Sequence, residues 1–287
     1  MTVKEIKDRI SSRLEAAGIE DHIYESWLFL EWKLGISRAD YYMDPEAQVD
    51  EDRLEDLEKA LARRQAREPM AYIMGRSEFM GYSFLTDNRV LIPRQDTECL
   101  VELAADRIRT RSDRGAGLRI LDLCTGSGCI GICIKKMFPK AEVVLSDHSE
   151  GALEVAGENA RQLQAEVEIL EGDLFDPVSG TFDFILSNPP YIPSEVVDGL
   201  MPEVADYEPR TALDGEADGL YYYRKIVAQA PAYLKEEGSL FLEIGHDQGR
   251  DLETLLEEAG FTDISIEKDL AGLDRIACGT WGVPRLG

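Results

Sequence analysis

Apolar positions in the first part of the chain recur with helical spacing. Ile6, Ile10 and Leu14 share one face until Gly18 interrupts them. A denser apolar segment runs through Tyr24, Trp27, Phe29 and Trp32 towards Gly35. The same period returns at Leu54, Leu57 and Leu61, with Asp50 the expected cap, and ends in the basic Arg63, Arg64 and Arg67. The pattern predicts a small all-α bundle over 1–70, with Trp27 and Trp32 in its core. Strand-like runs at 72–75, 78–84 and 89–93, punctuated by glycine, predict a β-hairpin linker over 71–95. A helix follows, with Asp96 or Thr97 as its N-cap.

Beyond residue 118 the pattern alternates. Apolar strands are expected at 118–123, 141–146, 167–170, 182–187 and 239–244, with a terminal pair at 264–268 and 275–279. Helices are expected at 129–137, 149–163, 220–234 and 249–259. Such βα alternation implies a doubly wound, mostly parallel sheet, a Rossmann-like α/β domain over 96–287.

Two strand ends carry the candidate chemistry. At 187–191 the chain reads Ser-Asn-Pro-Pro-Tyr. Two successive prolines cannot continue a strand, so the chain must leave the sheet at Asn188, where open α/β sheets bind ligands. The Asn188 side-chain carbonyl and the Pro189 backbone carbonyl supply two acceptors for the two N–H donors of a planar NH2 group. Tyr191 supplies an aromatic face for a flat amide or base. Holding both hydrogens of an amide would raise electron density at a poorly nucleophilic nitrogen, and the motif holds no titratable base. The alternative is a plain proline turn.

The second strand end, at 122–128, reads Asp-Leu-Cys-Thr-Gly-Ser-Gly at a strand-to-helix turn. Gly126 and Gly128 permit close backbone approach. Asp147, nineteen residues beyond Gly128, is placed to accept ribose hydroxyls, and it is also placed to cap the following helix. Asp173 is placed for an adenine amino group, with Leu174 as an apolar wall. Residues 126–131 also match G-x-G-x-x-G, the dinucleotide fingerprint. The downstream Asn-Pro-Pro-Tyr turn suits positioning an NH2 group rather than hydride transfer, so methyl transfer is preferred to NAD chemistry.

Composition changes the picture mainly through charge. The 287 residues carry a net charge of −25, which opposes binding to a free duplex through its phosphates. An acidic surface suits solubility or a basic protein partner. Five cysteines, an odd number, argue against a disulfide framework, and Cys124, Cys129 and Cys133 read as small core residues. His22, His148 and His246 show no metal spacing, and no metal is expected. No run of about eighteen apolar residues occurs, and no basic-then-apolar leader, so a cytoplasmic home without membrane association is expected. Glu243 reads equally as a buried carboxylate near the site or as a strand-end cap.

With these residues in place, the chain resembles the bacterial peptide chain release factor glutamine methyltransferases, the PrmC/HemK type. The resemblance rests on the helical N-terminal domain, 92–98 (Ile-Pro-Arg-Gln-Asp-Thr-Glu), 120–128, Asp147, 187–191, 207–213 (Tyr-Glu-Pro-Arg-Thr-Ala-Leu) and 272–276 (Gly-Leu-Asp-Arg-Ile). It implies S-adenosylmethionine-dependent methylation of the glutamine side-chain amide in the GGQ motif of release factors, with S-adenosylhomocysteine as product. It further implies that Cys124, Thr125, Gly126, Ser127, Gly128, Asp147 and Leu174 line the cofactor. By the same resemblance, Asn188 contacts both cofactor and glutamine, Pro189, Pro190 and Tyr191 complete the substrate turn, and the N-terminal helices help grip the release factor. The chain departs from the family at Cys124, usually glycine, at Gln95, commonly proline, and at Leu174, commonly a bulky aromatic. The same turn and crevice occur in nucleic-acid amino-methyltransferases of the adenine-N6 type, which would need a basic cleft. A binding protein that kept the fold but lost catalysis is a third reading, opposed by the intact Gly126, Gly128, Asp147 and Asn188.

Overall fold

The computed structural model describes residues 1–110 and 117–282; the expected range of the α/β domain, 96–287, therefore includes 111–116 and 283–287, which lie outside the described residues. The described chain divides into two compact units, one formed by Met1–Met74 with Met201–Tyr207, the other by Gly75–Leu200 with Glu208 onward.

The first unit is helical. It contains α1 (Val3–Ala16), α2 (His22–Leu34), α3 (Arg38–Met43), α4 (Leu54–Gln65) and α5 (Met70–Met74). Ile6, Ile10 and Leu14 of α1 meet Phe29 and Leu30 of α2 and Leu57 and Leu61 of α4 in one apolar core, with Trp27 and Trp32 packed on its flank. Gly35 ends α2 in the left-handed region. Asp50 precedes a 3-10 turn at Glu51–Arg53 rather than α4, and its side chain makes no capping bond. Residues 72–75 are not a strand, since 70–74 form the last helical turn. At the edge of this core Arg64 is buried. Its guanidinium donates to both carboxylate oxygens of Glu25, at 2.8 and 3.1 Å, and to Glu203 at 2.9 Å. Arg67 donates to both oxygens of Glu203, at 2.7 and 2.6 Å, sharing one of them with Arg64 and tying the short 201–207 segment to the helices.

The second unit begins with a hairpin of β1 (Arg76–Phe79) and β2 (Tyr82–Leu85); residues 89–93 are irregular, not a strand. Then come α6 (Gln95–Thr110), β3 (Arg119–Leu123), α7 (Cys129–Met137), β4 (Glu142–Asp147), α8 (Glu150–Gln162), β5 (Glu168–Glu171) and β6 (Phe182–Ser187). Two short helices follow, α9 (Ser194–Val197) and α10 (Pro202–Ala205), the latter on the segment that belongs to the helical unit. The chain ends through α11 (Tyr221–Tyr233), β7 (Leu234–Glu243), α12 (Gly249–Glu258), β8 (Thr262–Lys268) and β9 (Asp274–Thr280). Because α6 already starts at Gln95, Asp96 and Thr97 lie inside its first turn and do not cap it.

Seven strands form one sheet in the order β5-β4-β3-β6-β7-β9-β8, parallel except where β9 enters antiparallel. The order reverses direction at β3, which pairs with β4 on one side and β6 on the other. That switch point opens the crevice at the carboxyl ends of β3, β4 and β6. Alternation along each strand sorts the side chains between two cores. Ile120, Leu186 and Phe241 face the layer of α6 and α7, whereas Leu121, Ile185 and Leu242 face α11 and α12. By the same alternation Asp122 is in phase with Ile120, and Glu243 is in phase with Phe241. Both carboxylates are thereby carried beneath the α6–α7 layer, almost completely buried.

Candidate active site

The cleft is built on three strand ends. After β3, Cys124 takes a left-handed φ of +59°, a conformation glycine adopts most easily. The Thr125 backbone N–H donates to the Ser146 carbonyl at 3.0 Å, and its hydroxyl donates to Asp122 at 2.5 Å. The same Asp122 oxygen accepts the Gly131 N–H at 2.9 Å. Asp122 therefore braces the turn from below, and burial pushes its carboxyl up to about 7 against these hydrogen bonds. Gly131 lets α7 lie this close: a Cβ there would come within 2.2 Å of a Leu145 methyl.

Asp147, at the end of β4, accepts the Gly126 N–H at 2.9 Å on one oxygen and the Ser149 N–H at 3.0 Å on the other. Ser149, not Asp147, caps α8 through its hydroxyl. The two backbone bonds fix the Asp147 carboxylate and leave each oxygen a further acceptor direction. Leu174 is buried at φ +47°, and Asp173 beside it accepts from Lys225 Nζ at 3.1 Å near the surface.

At the end of β6 the Ser187 hydroxyl donates to the Leu123 carbonyl at 2.7 Å, binding the two strand ends together. Asn188 Nδ2 donates to Thr97 Oγ1 at 3.3 Å, and both side chains lie near enough to the buried Glu243 carboxylate to favour its charged form. The Asn188 amide NH2 thus faces inward, and its oxygen has no donor among the described residues. Burial raises the Glu243 carboxyl to about 7, opposed by Thr97, Arg275 and Asn188. Burial likewise pushes Tyr191 up to about 12 and holds Cys124 and Cys129 as thiols.

One continuous cleft joins these pieces. Cys124, Thr125, Gly126, Ser127, Asp147, Asp173, Leu174, Asn188 and Pro190 all line it. Gly128, Pro189 and Tyr191 are not among its lining residues. Gly128 is packed on Ile132, Ala156 and Leu145, Pro189 is buried, and the Tyr191 carbonyl accepts from Gln248 at 3.0 Å. The opposite wall was not singled out from sequence as site chemistry: Arg89, Pro93, Arg94, Thr97, Pro209, Thr211 and Tyr222. Glu208 holds it, accepting from Arg94 and, at 3.1 Å, from the Ile92 N–H. The signal was the pair of segments at 92–98 and 207–213, whose mutual contact no local pattern states.

This fold and cleft define a methyltransferase. The family model "Methyltransferase small domain" matches residues 101–201, and "PrmC N-terminal domain" matches residues 5–75. A methyltransferase from Pyrococcus furiosus shares the fold with a TM-score of 0.54 at 16% identity, over 79% of this chain and 98% of that one. Release factor glutamine methyltransferase of Geobacter sulfurreducens is 39% identical over 98% of this chain and 97% of its own. That of Rhodospirillum rubrum is 41% identical over 93% and 82%. The chain belongs to the release factor glutamine methyltransferase family.

Proposed function

We propose that the protein methylates the side-chain amide nitrogen of the glutamine in the GGQ motif of peptide chain release factors, using S-adenosylmethionine, in the cytoplasm. The single observation that carries this is the orientation of Asn188 at the mouth of β6. Its NH2 is engaged inward, so it offers the cleft an acceptor, which suits an NH2-bearing substrate.

The cleft residues fit the cofactor. The space above Gly126 is open, Asp147 holds acceptors free for ribose hydroxyls, and Leu174 gives an apolar wall. When bound, the cofactor supplies an electrophilic methyl group. Asn188 and the Pro189 carbonyl accept the two amide hydrogens and aim the nitrogen, while Pro190 and Tyr191 complete the turn. Acceptance of both hydrogens concentrates electron density on the nitrogen, and its surplus proton leaves to solvent after transfer. The relatives' names and the acidic chain both point to a protein substrate rather than a nucleic acid.

Asn188→Ala should reduce turnover by roughly a hundredfold or more, as for loss of one hydrogen bond made to the transition state. Cofactor affinity measured by calorimetry should change much less. Near-normal turnover would defeat this mechanism.

A further inference from the structure

The proposed chemistry depends on which way the Asn188 amide points. A half-turn about its last side-chain bond would present NH2 to the NH2 of the substrate, donor against donor, and the two orientations have nearly the same shape. Something must choose between them. The Glu243 side chain is almost fully buried, lies in phase with Phe241 on β7, and has as its polar surroundings the hydrogen-bonded pair of Thr97 on α6 and Asn188, both of which favour its charged form. Its Oε2 has no hydrogen-bond partner among the described residues. Thr97 is itself buried and accepts from Asn188.

We propose that Glu243 and Thr97 are positioning residues that hold the Asn188 amide nitrogen inward and so keep its oxygen on the substrate amide. A carboxylate only accepts, so an ionised Glu243 tolerates only the Asn188 nitrogen beside it. A protonated Glu243 can donate to the Asn188 oxygen and admits the reversed amide. The groups that act on Glu243 come from every neighbouring element: Asp96 on α6, Cys129 on α7, Asn188 and Tyr191 after β6, Tyr223 on α11 and Arg275 on β9. The Tyr223 hydroxyl donates to the Glu243 carbonyl at 2.7 Å, which secures the strand end without satisfying the carboxylate.

This inference rests on the reading of Asn188 given above. It is tested with Glu243→Gln, Thr97→Val and Thr97→Ser in the full chain, each alone and the first also combined with Asn188→Ala. Methyl transfer and cofactor dissociation constants are measured from about pH 6 to 9. Glu243→Gln should lower kcat at least about tenfold with cofactor affinity unchanged within about twofold, because glutamine can donate where the carboxylate cannot. The wild-type rise in kcat through neutral pH should flatten in that variant. Thr97→Val should lower kcat similarly, and Thr97→Ser should restore most of it. In the Asn188→Ala background Glu243→Gln should cost nothing further. Full kcat with an unaltered pH profile in Glu243→Gln, or multiplicative losses in the double variant, would overturn the proposal. If Glu243→Gln does not fold, the Thr97 pair decides: equal kcat in the valine and serine variants rejects it. Failure of the functional reading is seen separately, as wild-type protein that leaves release-factor glutamine unmodified.

Discussion

Replacing Glu208 by alanine removes a carboxylate that joins two distant segments around the cleft. Its side chain is 1% exposed and accepts from both the Arg94 guanidinium and the Ile92 N–H. A hydrogen bond to a charged group contributes roughly 1.5–3 kcal/mol. Arg94 is 38% exposed and regains water when the pair is broken, so its share is discounted towards the lower end. Together the two bonds amount to about 3 kcal/mol, which lowers the melting temperature of a unit this size by roughly 6–12 °C. The functional effect follows from geometry: Pro93 and Arg94 form one wall of the cleft, and Pro209 and Thr211 follow Glu208 on the same side. Loosening them should weaken cofactor binding by about tenfold or more, read by calorimetry on folded protein well below the melting point. Glu208→Gln keeps an acceptor for Ile92 but loses the charge, and should fall between wild type and alanine in both measurements. Wild-type melting and affinity in Glu208→Ala would refute the idea that this buried carboxylate holds the wall.

Three other outcomes are expected. Asp147→Ala should raise the cofactor dissociation constant by about tenfold or more while leaving release-factor binding intact, checked by calorimetry and by pull-down with the release factor. Arg64→Ala should destabilise the helical unit by roughly 3 kcal/mol in urea unfolding, because the largely buried Glu25 loses the cation that pairs with it, while Glu203 keeps Arg67. Glu243, raised from 4.5 to about 7, keeps in the folded state a proton that the unfolded chain releases as pH climbs between those values, so it costs stability as pH rises. Glu243→Gln should therefore gain on wild type by about 3 kcal/mol between pH 4.5 and 8 in denaturant titrations, with no such gain if the carboxyl titrates normally.

The strands and helices of the α/β unit could be read from apolar periodicity because both cores are long and regular. Residues 182–187 end at the proline pair, as the pattern of buried positions and the loss of backbone N–H require. Short elements were less legible: 72–75 carry β-favouring residues but close a helix, and 89–93 are held by a turn at Asp87 and by the Glu208 carboxylate rather than a ladder. The cleft lining on the Asp147 and Asn188 sides was legible because it sits at strand ends. The partners that hold it were not. Glu208 and Arg94, Glu243 and Asn188, and Arg64 and Glu203 meet across long stretches of chain, and only the sheet order and helix placement bring them together. Period alone assigned Glu243 to a strand; its function depends on which layer that strand face meets.

The most direct test of the central claim is peptide mass spectrometry of a release factor incubated with the purified protein and methyl-labelled S-adenosylmethionine, with an adenine-containing duplex as a parallel substrate. One labelled methyl on the glutamine of the GGQ motif, absent with Asn188→Ala, is the predicted result. Label on the duplex, with the release factor unmodified, would contradict it.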